Sequence, residues 1–242
     1  MFTRLIQRAL DALPSQCLVC HAWPAQPVCE ACVSRFAQPQ TRCQTCALPV
    51  PDPIRRCGAC VKNPPPLDAC LAAVVYDYPW SDLIVAYKFH GHPGRAGTLA
   101  LLMRSTPWVE PALDAANWVV PMPLSQARLR TRGFNQALRL ARRLAPDKTD
   151  AHLLLRIKDT PPQSSLKRVE RLNSVKDAFA INPLRHGELK GTRVVLVDDV
   201  MTTGASLFAA ARTLRAAGAA HITAVVMART DQPHDGGVVG GQ

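Results

Sequence analysis

The segment running from Arg193 to Ser206 constrains this 242-residue chain more than any other. Arg193–Asp198 reads as a central strand, in which Val194-Val-Leu-Val197 is an unbroken apolar run. A run without alternation fits a strand buried on both faces, as in a parallel sheet. Asp198-Asp199 follow at its carboxyl end. Then come Val200, Met201, Thr202, Thr203, Gly204, Ala205 and Ser206. A helical pattern over 205–217 is closed by Gly218, a favoured residue just past a helix end. Strand, polar loop and helix in that order put the loop where open α/β sheets bind ligands, beyond the carboxyl ends of the strands.

The loop has its own chemistry. Backbone N–H groups entering a helix converge on an anion, and the helix N-terminus adds favourable partial charge. Gly204 permits an unusual φ and a close backbone approach. Thr202, Thr203 and Ser206 add hydroxyl donors. Asp198 and Asp199 would repel a bare polyphosphate, but they suit ribose 2′- and 3′-hydroxyls or a bound Mg²⁺. A ribose carrying a 5′-phosphate satisfies both halves. The plainer alternative, a capped helix after a turn, explains the Thr-Thr-Gly but not the acidic pair. Neither G-x4-G-K-[ST] nor G-x-G-x-x-G occurs, which excludes the P-loop and dinucleotide readings.

Elsewhere the pattern alternates strand and helix. Strands are expected over Cys70–Tyr76, Trp118–Met122, Ala178–Ile181 and His221–Ala228. Helices are expected over 80–90, 95–104 and Phe134–Leu144. This implies an α/β fold with a mostly parallel sheet flanked by helices. Residues 158–176 are polar and basic and read as a mobile loop. The tail beyond Asp231 is Gly-rich and expected to lack fixed structure.

Eight of the nine cysteines lie in residues 17–60. They form four C-x2-C pairs: Cys17/Cys20, Cys29/Cys32, Cys43/Cys46 and Cys57/Cys60. Each pair suits two sulfurs reaching one tetrahedral ion from a tight turn, so four pairs imply two structural Zn²⁺ sites. Sequential grouping is favoured, Cys17 to Cys32 and then Cys43 to Cys60; interleaved pairing is open on spacing alone. Four sulfurs close the coordination sphere and leave no place for a reactive water. Cys70 lies in an apolar run and reads as core. Asn63-Pro-Pro-Pro66 forms a stiff linker. The expected domains are 1–66, 67–230 and a tail over 231–242.

The formal net charge is +11, and residues 121–190 hold 15 Lys or Arg against 6 Asp or Glu. An anionic partner is expected, either a phosphorylated small molecule or a nucleic acid. Residues 2–13 carry apolar side chains at helical spacing broken by charges, which reads as an amphipathic helix rather than a signal peptide. No stretch approaches a membrane span. A cytoplasmic location is expected, and disulfides are not.

Residues 194–207 resemble the phosphoribosyl-diphosphate (PRPP) loop of type I phosphoribosyltransferases. The fuller resemblance is to the ComF family, associated with competence for DNA uptake. It rests on the cysteine pairs, Tyr87-Lys-Phe-His-Gly91, Val120-Pro-Met-Pro-Leu124, Arg128-Leu-Arg-Thr-Arg-Gly-Phe-Asn-Gln136, Gln163-Ser-Ser-Leu-Lys-Arg-Val-Glu-Arg-Leu-Asn173 and the PRPP loop. The resemblance implies a type I phosphoribosyltransferase fold behind a small N-terminal double zinc ribbon. It implies Mg²⁺-PRPP as ligand, with Asp198 and Asp199 holding the ribose and residues 200–206 the 5′-phosphate. Pro121–Gln126 then stands at the diphosphate loop, and residues 158–176 at a hood supplying Lys167, Arg168 and Arg171. Lys88, Arg128, Arg130 and Arg132 are further phosphate contacts, and Asn135 and Gln136 either join them or anchor the next helix. Two functions follow: phosphoribosyl transfer to an unidentified acceptor, or a non-catalytic competence factor that engages single-stranded DNA or DNA-uptake proteins.

Overall fold

The computed structural model describes residues 15–89, 93–158 and 177–231. The expected N-terminal helix, His90, His92, the hood residues Lys167, Arg168 and Arg171, and the Gly-rich tail lie outside the described residues.

Six strands are described: β1 (Ala69–Val75), β2 (Trp118–Pro121), β3 (Leu154–Arg156), β4 (Phe179–Ile181), β5 (Arg193–Met201) and β6 (His221–Arg229). Four of them form a parallel sheet in the order β1-β6-β5-β2. The central pair explains the apolar runs, since β5 and β6 are buried along almost their whole length. β3 and β4 form a separate antiparallel pair, with Leu154 opposite Ile181 and Arg156 opposite Phe179. In sequence these two strands flank residues 159–176.

The helices are α1 (Glu30–Phe36), α2 (Gly58–Lys62), α3 (Trp80–Phe89), α4 (Ala96–Arg104), α5 (Val109–Ala115), α6 (Gln126–Arg132), α7 (Gln136–Leu144) and α8 (Ala205–Ala216). α4 buries Ala96, Leu99, Ala100 and Met103, the spacing of one helical face. α7 buries Gln136, Ala137, Leu140, Ala141 and Leu144 and packs on β2 and β5. α8 buries mostly alanine, so its axis can lie close to the strands it covers.

Two elements differ from expectation. β5 runs on to Met201, past the acidic pair, because Val200 and Met201 still pair with Ala228 and Arg229 of β6. Residues 126–132 form a helix that hydrophobic periodicity does not reveal, because α6 buries no side chain. Its ends are set by polar devices. The Ser125 hydroxyl accepts from Arg128 N, and Gly133 closes the helix at φ +76°.

The chain divides into two compact units, Met1–Gln38 and Pro39–Gln242. The smaller holds the first cysteine group and α1. The larger holds the second cysteine group together with the sheet. The boundary expected near residue 66 therefore does not coincide with this division. A physical reason is that Cys70 N of β1 donates to Gln44 O at 2.7 Å, which stitches the second ribbon to the sheet.

Candidate functional site

The cysteines form two groups in the favoured sequential order, Cys17, Cys20, Cys29, Cys32 and Cys43, Cys46, Cys57, Cys60. Within each group all four sulfurs lie within 4.8 Å of one another. The separations Cys17–Cys32 at 3.8 Å, Cys20–Cys29 at 3.6 Å and Cys46–Cys57 at 3.7 Å match the edge of a tetrahedron with metal–sulfur bonds of about 2.3 Å. All nine cysteines are free thiols.

Both groups are built alike. Cys29 and Cys57 each precede a short helix. His21 and Ala47, each following the second cysteine of its group, take left-handed backbone at φ 61° and 55°. Burial pushes the Cys43 thiol up, but backbone N–H groups at Cys57, Thr45 and Cys46 outweigh it and bring it down to about 6. Cys17 is brought to about 6 in the same way, by the backbone at Cys20, Cys29 and Val19 against its burial. These turns favour thiolate at the first sulfur of each group, the form that binds metal. Cys70 is core, and burial pushes its thiol up to about 12.

At the carboxyl edge of the sheet the acidic pair meets a lysine. Asp199 is buried, and its Oδ1 lies 2.8 Å from Lys88 Nζ. The Asp198 carboxylate accepts from Asp199 N at 2.9 Å. Burial first, and the Asp199 charge second, push the Asp198 carboxyl up to about 7, against the pull of Lys88.

Lys88 is delivered by the last turn of α3, and its neighbours in sequence lock that turn in place. Tyr87 is fully buried and its hydroxyl donates to Gln136 O at 2.9 Å. The Tyr87 ring meets Phe134 edge-on at 5.6 Å. The Phe89 ring lies under the Arg132 guanidinium, 4.9 Å from its centroid. Arg132 Nη1 donates to Gln136 Oε1 at 3.1 Å. Arg132 is half-buried and feels the charges of Asp199, Arg128 and Asp198. Gln136 Nε2 is buried without a hydrogen-bond partner among the described residues. The Tyr-Lys-Phe and Arg-Gly-Phe-Asn-Gln segments are thus two halves of one wall. Arg130 is exposed.

Parallel register brings the loop after β2 to the same edge. Pro121 lies opposite Val197, and Met122 N donates to Val197 O at 2.9 Å. Asn135 both caps α7 through Leu138 N and donates from Nδ2 to Met122 O at 3.1 Å, which fixes this loop to the wall.

Thr202–Gly204 make the turn from β5 into α8. Gly204 has φ +81°, and a Cβ there would lie 2.5 Å from Met201 Cε and 2.7 Å from Phe208 Cζ, so no other residue fits without movement. Ala205 N donates to Thr203 Oγ1 at 3.4 Å.

Tyr87, Ser125, Phe134 and the buried Arg229 also build this region. Hydrophobic periodicity gives no sign of their partners. The aromatic and polar residues inside Tyr87–Gly91 and Arg128–Gln136 were the available signal.

Comparison with known proteins gives a concordant result. Residues 129–239 match the phosphoribosyl transferase domain. The chain is 39% identical over 113 residues to competence protein ComFC of Bacillus subtilis, a match spanning 46% of this chain and 44% of that protein. It is 31% identical over 179 residues to competence protein F of Haemophilus influenzae, covering 70% of this chain and 76% of the relative. It is 30% identical to DNA utilization protein YhgH of Salmonella typhimurium over the same shares of both chains. No helix among the described residues is long and apolar enough to cross a membrane. With that coverage by a competence protein and a matching phosphoribosyl transferase domain, the chain belongs to the ComF family of phosphoribosyltransferase-like proteins.

Proposed function

We propose that this chain binds Mg²⁺-PRPP at the carboxyl edge of its sheet and serves DNA uptake in the cytoplasm. The observation that carries the reading is the sharing of one strand–loop–helix unit by the acidic pair and the Thr202–Ser206 turn, with Lys88 against Asp199. Asp198 and Asp199 would accept from the ribose hydroxyls. Thr202, Thr203 and Ser206, with the backbone from Val200 to Ala205, would hold the 5′-phosphate. Pro121 and its loop, Arg128, and the hood residues Lys167, Arg168 and Arg171 would take the diphosphate. Mg²⁺ would neutralise diphosphate charge when bound. The role in DNA uptake rests on relatives named for competence and DNA utilization.

Transfer would break the C1–oxygen bond, with the electron pair leaving on diphosphate while an acceptor lone pair forms the new bond. The acidic pair would counter the positive charge developing on the sugar. Closure of the hood would exclude water from it. Among the described residues no side chain is placed as an evident base for the acceptor.

Calorimetry tests the ligand: Asp198→Asn with Asp199→Asn should abolish Mg²⁺-PRPP binding, and unchanged affinity would sink the site assignment. Diphosphate release across bases, nucleosides and DNA ends tests the transfer. The 15 basic against 6 acidic residues across 121–190 suit a phosphorylated small molecule and a nucleic acid alike, so a second reading is a non-catalytic factor for single-stranded DNA. That reading is supported by salt-sensitive DNA binding without diphosphate release from any acceptor.

A further inference from the structure

Arg229 ends β6 and is 1% exposed, one of the largest fully buried side chains. A guanidinium keeps its charge and carries five N–H donors, so such burial requires acceptors. Those it finds among the described residues are neutral oxygens. Nε donates to Cys46 O at 2.8 Å. Nη1 faces Met201 O at 3.2 Å, Thr202 O at 2.5 Å and Thr230 O at 2.5 Å.

Cys46 belongs to the second cysteine group, Met201 ends β5, and Thr202 opens the turn into α8. One side chain therefore ties a metal-site backbone to the turn assigned to the 5′-phosphate. A second tie runs beside it. Gln44, between Cys43 and Cys46, accepts from Cys70 N at 2.7 Å, and Cys70 Sγ lies 3.5 Å from Met201 Sδ. Both ties lead from the same knuckle to Met201.

The knuckle is held by its sulfurs and by backbone hydrogen bonds, Cys43 N to Leu48 O at 2.7 Å, Ala47 N to Cys43 O at 2.8 Å and Gln44 N to Arg55 O at 2.9 Å. Ala47 sits in left-handed backbone at φ 55°, a strained conformation for a residue with a Cβ. Arg42 Nη1 steadies its carbonyl at 3.0 Å. Four converging sulfurs fit a tetrahedral Zn²⁺, whose binding would link the 43–46 knuckle to Cys57 and Cys60 and add to the free energy that holds it.

We propose that the second four-cysteine site, when it holds its metal, positions the Met201–Ser206 turn through Arg229, so that its occupancy sets the affinity of that turn for a phosphorylated ligand. The ligand named here rests on the function proposed above; the mechanical coupling does not. When the Cys46 carbonyl is released, the buried guanidinium loses an acceptor. It then reorganises, and the Met201 and Thr202 carbonyls that share it move as well. Arg229 is thus a positioning residue.

The test uses the full zinc-loaded chain and two readouts: hydrogen exchange of amides 201–206 and calorimetric affinity for Mg²⁺-PRPP. Cys57→Ser with Cys60→Ser disrupts the second site without altering the 43–46 knuckle. Arg229→Lys keeps both metals and the charge but loses the guanidinium fork. Each should speed exchange at 201–206 and weaken PRPP by roughly tenfold or more, the loss expected for one charge-assisted hydrogen bond. Amides of Val194–Val197 should stay protected, which shows that the sheet is intact. Cys29→Ser with Cys32→Ser, in the smaller unit, should change neither readout. Wild-type exchange at 201–206 in a folded second-site variant would overturn the proposal, as would equal effects from both sites. If the second-site variant does not fold, Arg229→Lys with two zinc per chain decides alone, and unchanged exchange overturns the coupling. Failure of the wild-type chain to bind PRPP would refute the ligand, while exchange would still decide the coupling.

Discussion

Replacing Lys88 by Met should destabilise the protein, and do so more at high pH. Lys88 and Asp199 have side chains only 14% and 10% exposed, 2.8 Å apart. Removing one partner of a buried pair costs about 3–5 kcal/mol, because the other charge is left uncompensated. Here a second carboxylate is adjacent, and its proton offers partial relief. The Asp198 carboxyl stands at about 7, above its ordinary value of 3.8. A carboxyl whose folded value is raised contributes stability that is fully present below about pH 4 and is lost as pH rises through about 7. Loss of the lysine tightens proton binding at the acidic pair further. If it does so by roughly a hundredfold, the destabilisation grows by about 1.4 kcal/mol between pH 6 and pH 8. We expect about 2–3 kcal/mol at pH 6 and about 3–4 kcal/mol at pH 8. Urea unfolding of both proteins at the two pH values measures this directly. A pH-independent loss, or one below about 0.5 kcal/mol at pH 8, would refute the claim that Lys88 balances a buried acidic pair.

Three further outcomes are expected. Gly204→Ala forces a Cβ into left-handed backbone and against Met201 and Phe208, at about 2–4 kcal/mol in stability; urea unfolding within about 0.5 kcal/mol of wild type would show that the turn relaxes freely. Tyr87→Phe deletes the donor to Gln136 O and should cost about 1–2 kcal/mol at unchanged zinc content, and an unchanged unfolding midpoint contradicts this. Metal analysis of reduced protein should give two zinc per chain, and a value far below two is incompatible with both cysteine groups holding metal.

What the sequence discloses, and what it hides, follows from how each element is held. β5 and β6 are legible because burial on both faces demands unbroken apolar residues, and the Asp-Asp-then-Thr-Thr-Gly order survives as a local pattern. α6 is hidden because it buries nothing and is defined by a Ser cap and a left-handed Gly. The continuation of β5 to Met201 is hidden because it is secured by pairing with β6, not by its own composition. The Pro-rich stretch after Asn63 suggests a boundary, yet hydrogen bonds from Cys70 and Arg229 to Gln44 and Cys46 cross it. Those bonds end on backbone carbonyls. A carbonyl acceptor imposes no residue type on its owner, so no pairing of side-chain chemistries marks the contact in the sequence. Arg229 is itself an arginine at the end of an apolar strand, and by pattern it reads as a charge leaving the sheet for solvent. Lys88 is named from the family resemblance as a phosphate contact, but its pairing with Asp199 is hidden for a related reason. Lys88 closes an ordinary helix, and its role exists only once Tyr87, Phe89, Phe134 and Gln136 have fixed that helix end against the acidic strand. The acidic pair and the Thr-Thr-Gly turn are therefore written locally, whereas the residues that position them are recognisable only by their three-dimensional partners.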